Sequence, residues 1–340
     1  MQLLSTPQLK RWSVVAALLA AVLLPRHAAH AQPASSPVPD PNSPSGPALQ
    51  IIEDLVQRGQ LGKARELLSQ EVKRRGESPQ TRYLEGLALF KERKFQESLQ
   101  ALEKGFKLDQ EKKYVPIYVL SGLNWVVLDR NDLAEPFLLA AVQLDPKDPM
   151  NHYYLGRLYY TLQRFPQAEL EFRKTVEMAP SFLKGFDNLA LALEALGQDE
   201  EAVAAYRKAI DLNEQQKTRS EWPYINLAKF FLDRNRYDES IPVAMHATQA
   251  NPKSADAFFV LGKAYHKIRA DKEALEALER AVQNDANHTE THYLLSRIYF
   301  KVGRKEDAEK EMAIFQRLKE MEPKKGGMGT HVSRERKESR

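Results

Sequence analysis

The chain of 340 residues contains no cysteine. This absence excludes disulfide bridges and thiolate metal sites, but it leaves the redox compartment open because a protein without thiols works in any. The sequence also lacks a glycine-rich phosphate loop, a nucleophile elbow and a paired-carboxylate signature. Because 43% of the residues are hydrophobic, the chain can still bury a core. We therefore expect a folded protein that is not an enzyme and uses no cofactor.

The excess of positive charge lies at the two ends of the chain. The formal net charge is +4, yet residues 1–31 contribute +3 and residues 324–340 contribute +4. The body between them is therefore net −3. A nucleic-acid function is not indicated, because the surplus lysine and arginine lie outside the part expected to fold.

The first 31 residues have the features of an export signal. Basic residues precede an apolar run over residues 12–24, and a small-x-small cleavage site follows at residues 29–31. As a helix, the 13-residue run spans about 20 Å, which is short for a bilayer core of about 30 Å. We expect cleavage near Ala31 and a periplasmic or secreted protein. An uncleaved N-terminal anchor is the alternative.

Two further segments are expected to be disordered. Residues 32–47 hold six prolines and predict a semi-extended linker. Residues 321–340 predict a basic tail without apolar periodicity. The tail is interpreted as a solubilising end, and the alternative is weak, salt-sensitive contact with a membrane surface or another polyanion. Residues 48–320 remain as the folded region.

Two stretches of the folded region share their spacing of leucine, glycine, tyrosine and alanine. From Leu155 the sequence reads LGRLYYTLQRFPQA, and from Leu261 it reads LGKAYHKIRADKEA. A period near 34 residues indicates a solenoid of helical hairpins. The register extends in both directions, with repeats that start near residues 45, 79, 115, 149, 183, 221, 255 and 289.

Small residues recur at two positions of each repeat. Position 20 is alanine or serine in all eight repeats, and position 8 is glycine, alanine or serine in seven. Position 11 is always large. We expect the small residues to let the two helices of a repeat approach toward the short end of the usual separation of about 8–10 Å. A leucine at Ala202 or Ala274 would overpack this contact.

These residues resemble the tetratricopeptide repeat (TPR) family. The resemblance covers residues 45–318 and implies an all-α fold, a right-handed superhelical solenoid of about eight TPR helix-turn-helix repeats. The family serves many functions, so the fold alone selects none of them. The fourth repeat carries the pattern most fully, with Leu155, Gly156, Tyr159, Ala168, Phe172 and Pro180.

The histidines were considered as metal ligands. His288 and His292 are four residues apart, but they lack the arrangement of a zinc-protease motif and a third ligand. His152 and His292 occupy position 4, a packing position in the resembled family. We interpret them as packing residues and expect no metal site.

The resemblance also implies that the first helix of each repeat lines a concave groove through positions 2, 5, 9, 12 and 13. In the later repeats these positions are mainly basic and aromatic. The predicted partner-binding residues are Tyr153, Arg157, Tyr160, Lys229, Phe259, Lys263, His266, Lys267, Tyr293, Arg297, Phe300 and Lys301.

Two like-charge pairs stand out within this set. Lys263 with Lys267, and Arg297 with Lys301, are four residues apart and recur one repeat apart. Each pair disfavours its own helix by a few tenths of a kcal/mol. Such a patch suits an acidic peptide or a free C-terminal carboxylate. The alternative is a solvated groove edge whose lysines are neutralised by acids at position 2, namely Asp256 and Glu290.

We therefore predict an exported TPR scaffold that holds a protein or peptide partner in its groove and has no catalysis of its own. One alternative is a helical repeat that binds nucleic acid or another polyanion. Another is a regulatory subunit of an exported enzyme. No small-molecule substrate is indicated.

Overall fold

The computed structural model describes residues 46–321, and these form 16 helices and no strand. The predicted all-α class is confirmed. The predicted signal, most of the linker and the tail lie outside the described residues. The helices are α1 (Pro47–Gln57), α2 (Leu61–Arg75), α3 (Pro79–Lys91), α4 (Phe95–Leu108), α5 (Val115–Val127), α6 (Asn131–Leu144), α7 (Pro149–Thr161), α8 (Phe165–Met178), α9 (Leu183–Ala195), α10 (Asp199–Gln215), α11 (Trp222–Asp233), α12 (Tyr237–Ala250), α13 (Ala255–Lys267), α14 (Asp271–Asn284), α15 (Thr289–Lys301) and α16 (Lys305–Met321).

The chain divides into two compact units, Met1–Gln215 and Gln216–Arg340. The described part of the first unit holds α1 to α10, and that of the second holds α11 to α16. Each odd-numbered helix packs most extensively on the even-numbered helix that follows it, and we number these pairs hairpins 1 to 8. The fifth repeat, between the starts at residues 183 and 221, is longer than the others. Its second helix, α10, has 17 residues, three more than α8.

Within each unit, successive odd-numbered helices also contact each other, whereas successive even-numbered helices do so less. The odd-numbered helices therefore line the inner side of each stack. Side-chain caps fix the start of several of them. Asp148 Oδ1 accepts a hydrogen bond from the Met150 amide at 2.8 Å, and Ser254 Oγ accepts one from the Ala257 amide at 3.2 Å. None of the helices within residues 46–321 is long and apolar enough to cross a membrane.

The glycines at position 8 bring the two helices of a hairpin together. A Cβ atom on Gly262 would lie 2.6 Å from Leu278 Cγ and 3.2 Å from the Ala274 carbonyl oxygen. Gly122 stands in the same relation to Leu138 and the Ala134 carbonyl. The sequence predicted that positions 8 and 20 would face each other. The structure adds that the large side chain at position 24 fills the space above the glycine.

Serine at position 20 adds a hydrogen bond to this contact. Ser98 Oγ donates to the Gly86 carbonyl at 2.8 Å, and Ser240 Oγ donates to the Ala228 carbonyl at the same distance. Both serines are fully buried. A buried hydroxyl needs such a partner, so serine is tolerated at position 20 because the position-8 carbonyl accepts its hydrogen bond.

The turn between the two helices of every hairpin contains one residue in the left-handed region. It is glycine in three hairpins and a larger residue in five, with φ between 59° and 85°. Left-handed backbone costs a residue with a Cβ about 1–2 kcal/mol. These residues are Gly59, Arg93, Asp129, Gln163, Gly197, Asn235, Arg269 and Gly303.

Replacing Arg269 with glycine is expected to stabilise the protein. Its φ is 63°, and its exposed side chain makes no ion pair within the described part of the chain. Relief of the strain, reduced by the entropy that glycine adds to the unfolded chain, leaves a gain of about 0.5–1 kcal/mol. Urea denaturation measures this difference. Glu276→Gly, within α14 of the same hairpin, is the control and should lose about 1 kcal/mol.

Candidate partner-binding surface

The 12 predicted site residues fall in both units, and the three in the first unit are largely covered. Tyr153 is 1% exposed and Arg157 is 4% exposed. The Tyr153 ring meets the Phe182 ring edge-on at 5.0 Å, and Asn188 donates a hydrogen bond to its hydroxyl at 3.5 Å. Tyr160 is half-buried, and burial raises its pKa. Tyr153 and Arg157 therefore lie beneath the surface, which corrects the expectation that they face a partner directly.

The other nine residues belong to the second unit, and eight of them lie on α13 and α15. Phe300 is 68% exposed and Tyr293 is 38% exposed, which is unusual for large rings in a folded protein. Lys267, Arg297 and Lys301 are exposed as well. We call this group the basic–aromatic surface. Its members are Phe259, Lys263, His266, Lys267, Tyr293, Arg297, Phe300 and Lys301.

The cations of this surface outnumber the carboxylates that neutralise them. Lys301 Nζ donates to Asp271 Oδ2 at 2.5 Å. Within residues 46–321, no carboxylate lies within 4.0 Å of Lys263, Lys267 or Arg297. Three of the four basic side chains thus lack an internal counter-ion, and their charge is available to a ligand.

The two acids at position 2 do not neutralise these lysines. Asp256 Oδ1 lies 3.9 Å from Lys229 Nζ and 3.8 Å from His288 Nε2, and Glu290 lies 4.0 Å from His288. The nearby His288 imidazole and the charge of Lys229 lower the pKa of Asp256. The alternative in which Asp256 and Glu290 neutralise the lysines of this surface therefore has no support in these distances. Lys229 belongs to this separate cluster at the start of α13.

The Tyr293 ring packs against a ring of the outer helix. The Tyr293 ring lies 5.2 Å from the Phe315 ring of α16, and the Arg297 guanidinium carbon lies 5.8 Å from the Tyr293 centroid. The planar donors of a guanidinium can bind a carboxylate, and the ring beside it can pack against apolar groups of the same ligand. The arrangement can bind an acidic chain with apolar neighbours.

His266 lies beside Asp271, the residue that also pairs with Lys301. Its Nδ1 is 3.5 Å from Asp271 Oδ1, and neither atom has a hydrogen-bond partner. Burial lowers the pKa of His266, the charges of Lys301 and Arg297 lower it further, and Asp271 opposes them. The balance of these effects favours the neutral form of His266 in the free protein.

Asp271 was missed as part of the site. Asp271 begins α14, where an acid also favours the helix N-terminus. Its second role depends on the neighbouring hairpin, because Lys301 is 30 residues further along the chain. Lys301 is position 13 of its repeat and Asp271 is position 17 of the previous one, and only the structure shows that the two side chains are in contact.

The histidines at position 4 are packing residues with defined partners. His152 Nδ1 contacts Glu171 Oε2 at 2.5 Å, and its Nε2 contacts the Pro146 carbonyl at 3.1 Å. His292 makes the same two contacts with Glu311 at 2.5 Å and the Ala286 carbonyl at 3.0 Å. Within residues 46–321 no group of three or more metal-ligating side chains is found.

The paired helices and their spacing define a helical-repeat protein, and profile comparisons identify the family. Two profiles described as tetratricopeptide repeat match residues 184–216 and residues 49–108 with 126–181. A third, described as anaphase-promoting complex, cyclosome, subunit 3, matches residues 233–313. The matches fall on hairpins of both units. The chain is therefore a tetratricopeptide-repeat protein.

Individual relatives share this repeat region at low identity. Protein bimA of Emericella nidulans is 26% identical over 155 residues, which is 46% of this chain and 19% of that protein. The chain spans between 15% and 42% of the length of the curated relatives it matches.

Two solved structures share the fold. A chain of the APC/C hetero-tetramer Cut9–Hcn1 is 16% identical with a TM-score of 0.62, covering 76% of this chain and 50% of that one. Yeast Tom70 is 15% identical with a TM-score of 0.60, covering 93% and 68%.

Proposed function

We propose that this protein holds a protein partner on the inner side of its repeats, and that the basic–aromatic surface binds an acidic segment of that partner. The observation that carries the proposal is the set of three cations without internal counter-ions on the two helices that also carry the exposed rings of Tyr293 and Phe300. Charges left unpaired on a surface that also exposes aromatic rings are typical of a docking site.

The relatives support a role in assembly. The Cut9–Hcn1 structure is a hetero-tetramer by its description, and the matching profile and relatives include subunits of the anaphase-promoting complex. Those assignments belong to those proteins. For this chain they support a scaffold that works through a partner and performs no reaction of its own.

Selection from a random dodecapeptide library tests the proposal. We expect peptides rich in aspartate and glutamate, with large apolar residues between them. The variant Lys263→Glu/Arg297→Glu should lose at least about tenfold in affinity for a selected peptide, because reversing a charge replaces attraction by repulsion. Fluorescence anisotropy measures the affinity.

The matched control reverses two cations on the outer helices. Lys272 on α14 and Arg317 on α16 are exposed, so Lys272→Glu/Arg317→Glu changes the net charge by the same amount. This control should bind the selected peptide as the unaltered protein does. An equal loss in both double variants would mean that only net charge matters, and homopolymer RNA assayed at two salt concentrations would then identify a general polyanion binder.

We further propose that the protein acts outside the cytoplasm. The predicted export signal supports this setting, and sequencing the N-terminus of the mature protein from the native envelope fraction tests it. A start near Gln32 is expected. A start at Met1 in a cytoplasmic fraction would overturn the proposed setting without affecting the binding surface.

A further inference from the structure

We propose that His266, Arg297 and Lys301 form a carboxylate site whose anion position is held in the free protein by Asp271, and that a carboxylate of the partner displaces Asp271 from Lys301. This inference rests on the proposed function and identifies the groups of the basic–aromatic surface that select an acidic partner. It assigns Asp271 the role of an internal competitor.

The position of Asp271 demonstrates the chemistry of the site. One carboxylate oxygen accepts from Lys301 at 2.5 Å, and the other points at His266 from 3.5 Å. The side chains are 20% exposed for Asp271 and 48% exposed for Lys301, so the ion pair lies at the protein surface within reach of a ligand. A carboxylate on another chain has the same donors available to it.

The electrostatic balance favours displacement by a partner. Asp271 pairs with Lys301 of α15 and faces His266 of α13, whereas Arg297, Lys263 and Lys267 on the same two helices have no carboxylate of the described residues within 4.0 Å. A segment with two or more carboxylates can neutralise cations that one aspartate leaves unpaired. It therefore gains more from the site than Asp271 loses.

His266 gives the displaced Asp271 a new partner. Its Nδ1 and Asp271 Oδ1 face each other at 3.5 Å, and neither atom has a hydrogen-bond partner. When the partner's carboxylate takes Lys301, a proton from solvent binds Nδ1 and the imidazolium donates to Asp271. Binding therefore takes up one proton, since the added negative charge raises the pKa of His266.

The variant Asp271→Asn tests the competitor role, with a peptide selected on the unaltered protein as the probe. Removing the internal carboxylate should raise the affinity about three- to tenfold at low salt. Lys301→Gln removes a donor of the proposed site and should lower the affinity. This loss would show that the peptide binds at the site that Asp271 occupies. Asp307→Asn removes an acid from the first turn of α16, where it pairs with Arg304, and should leave the affinity unchanged.

The second arm measures the pH dependence of the same affinity. Because the partner's carboxylates stay ionised above about pH 5.5, proton uptake by His266 should tighten binding as the pH falls from about 7.5 to about 5.5. His266→Gln should remove this dependence. His288→Gln is the control, because His288 contacts Asp256 instead, and should keep it. Peptides with an amidated and a free C-terminus distinguish side-chain from terminal carboxylates.

The outcomes separate the two proposals. If selected peptides bind and depend on Lys263 and Arg297, but Asp271→Asn binds no more tightly, the competitor role is overturned and the docking surface stands. If no acidic peptide is selected, or if Lys263→Glu/Arg297→Glu binds normally, the proposed function itself fails. Retention of the pH dependence in His266→Gln would contradict the proton uptake assigned to that residue.

Discussion

Replacing His152 with phenylalanine is expected to lower the free energy of unfolding by about 3 kcal/mol, because removal of one partner leaves a buried charge uncompensated. The side chain of Glu171 is 9% exposed, and that of His152 is 5% exposed. Only Lys174, at 3.0 Å, would remain to satisfy Glu171. Urea denaturation of the single variant measures the loss.

The double variant His152→Phe/Glu171→Ala should recover most of this stability. Hairpins 5 and 7 already use that combination at the same two positions, with Phe186 above Ala205 and Phe258 above Ala277. Apolar replacement of a whole buried ion pair is often neutral or stabilising. If the double variant is as unstable as the single one, the loss comes from the fit of the phenylalanine side chain and not from the broken ion pair.

The contribution of the pair also depends on pH. The hydrogen bond to Glu171 raises the pKa of His152 above its ordinary value of 6.5, against the effect of burial. This part of the stability is complete below about pH 6.5 and is lost as the pH rises through the raised pKa. Burial opposes ionisation of Glu171, but hydrogen bonds from His152 and Lys174 lower its pKa below 4.5.

The contribution of Glu171 to stability is complete above pH 4.5 and is lost as the pH falls through its lowered pKa. The free energy of unfolding of the unaltered protein should therefore exceed that of His152→Phe/Glu171→Ala by most between about pH 4.5 and about pH 6.5. Unfolding curves at about pH 5.5 and about pH 8.5 test the difference. A constant difference across this range would contradict the assignment.

Replacing Gly262 with leucine is expected to cost about 3 kcal/mol or more, since overpacking a closed contact forces backbone and side chains apart. Even the first added atom would lie 2.6 Å from Leu278 Cγ, and the Ala274 carbonyl closes the other side. Because α13 carries half of the basic–aromatic surface, peptide binding should weaken together with stability.

The control for this prediction is Gly62→Leu. Gly62 lies in α2, where a Cβ would meet no atom within 4 Å. Leucine there should stabilise the helix by roughly 0.5–1 kcal/mol, because glycine is a poor helix former. Thermal unfolding distinguishes the two variants by opposite changes in Tm. A small effect at Gly262 would contradict the close-approach account of the hairpins.

The repeat spacing predicted the fold class because its cause is local and repeated eight times. A small residue at position 8, another at position 20 and a large one at position 11 can satisfy packing only as paired helices. The left-handed turn residue could not be predicted in the same way. Glycine and asparagine adopt a positive φ readily, but Arg269 and Gln163 do not, and only the geometry of the hairpin requires it of them.

The binding surface was predicted with mixed success for a similar reason. Repeat position indicates which side of a helix a residue occupies, but not how closely the next hairpin covers it. Tyr153 and Tyr293 share position 5, yet Phe182 covers the first and the second remains 38% exposed. The partners of His152 and His292 were visible in the sequence, because a glutamate follows each of them by 19 residues.

Zero-length cross-linking with a carbodiimide tests the central claim most directly, because it joins a carboxylate to an amine only when the two groups are in contact. With a selected acidic peptide, we expect cross-links from its aspartates and glutamates to Lys263, Lys267 and Lys301. Cross-links that form instead on the outer lysines, Lys272 and Lys310, would contradict the assignment of the basic–aromatic surface as the site of recognition.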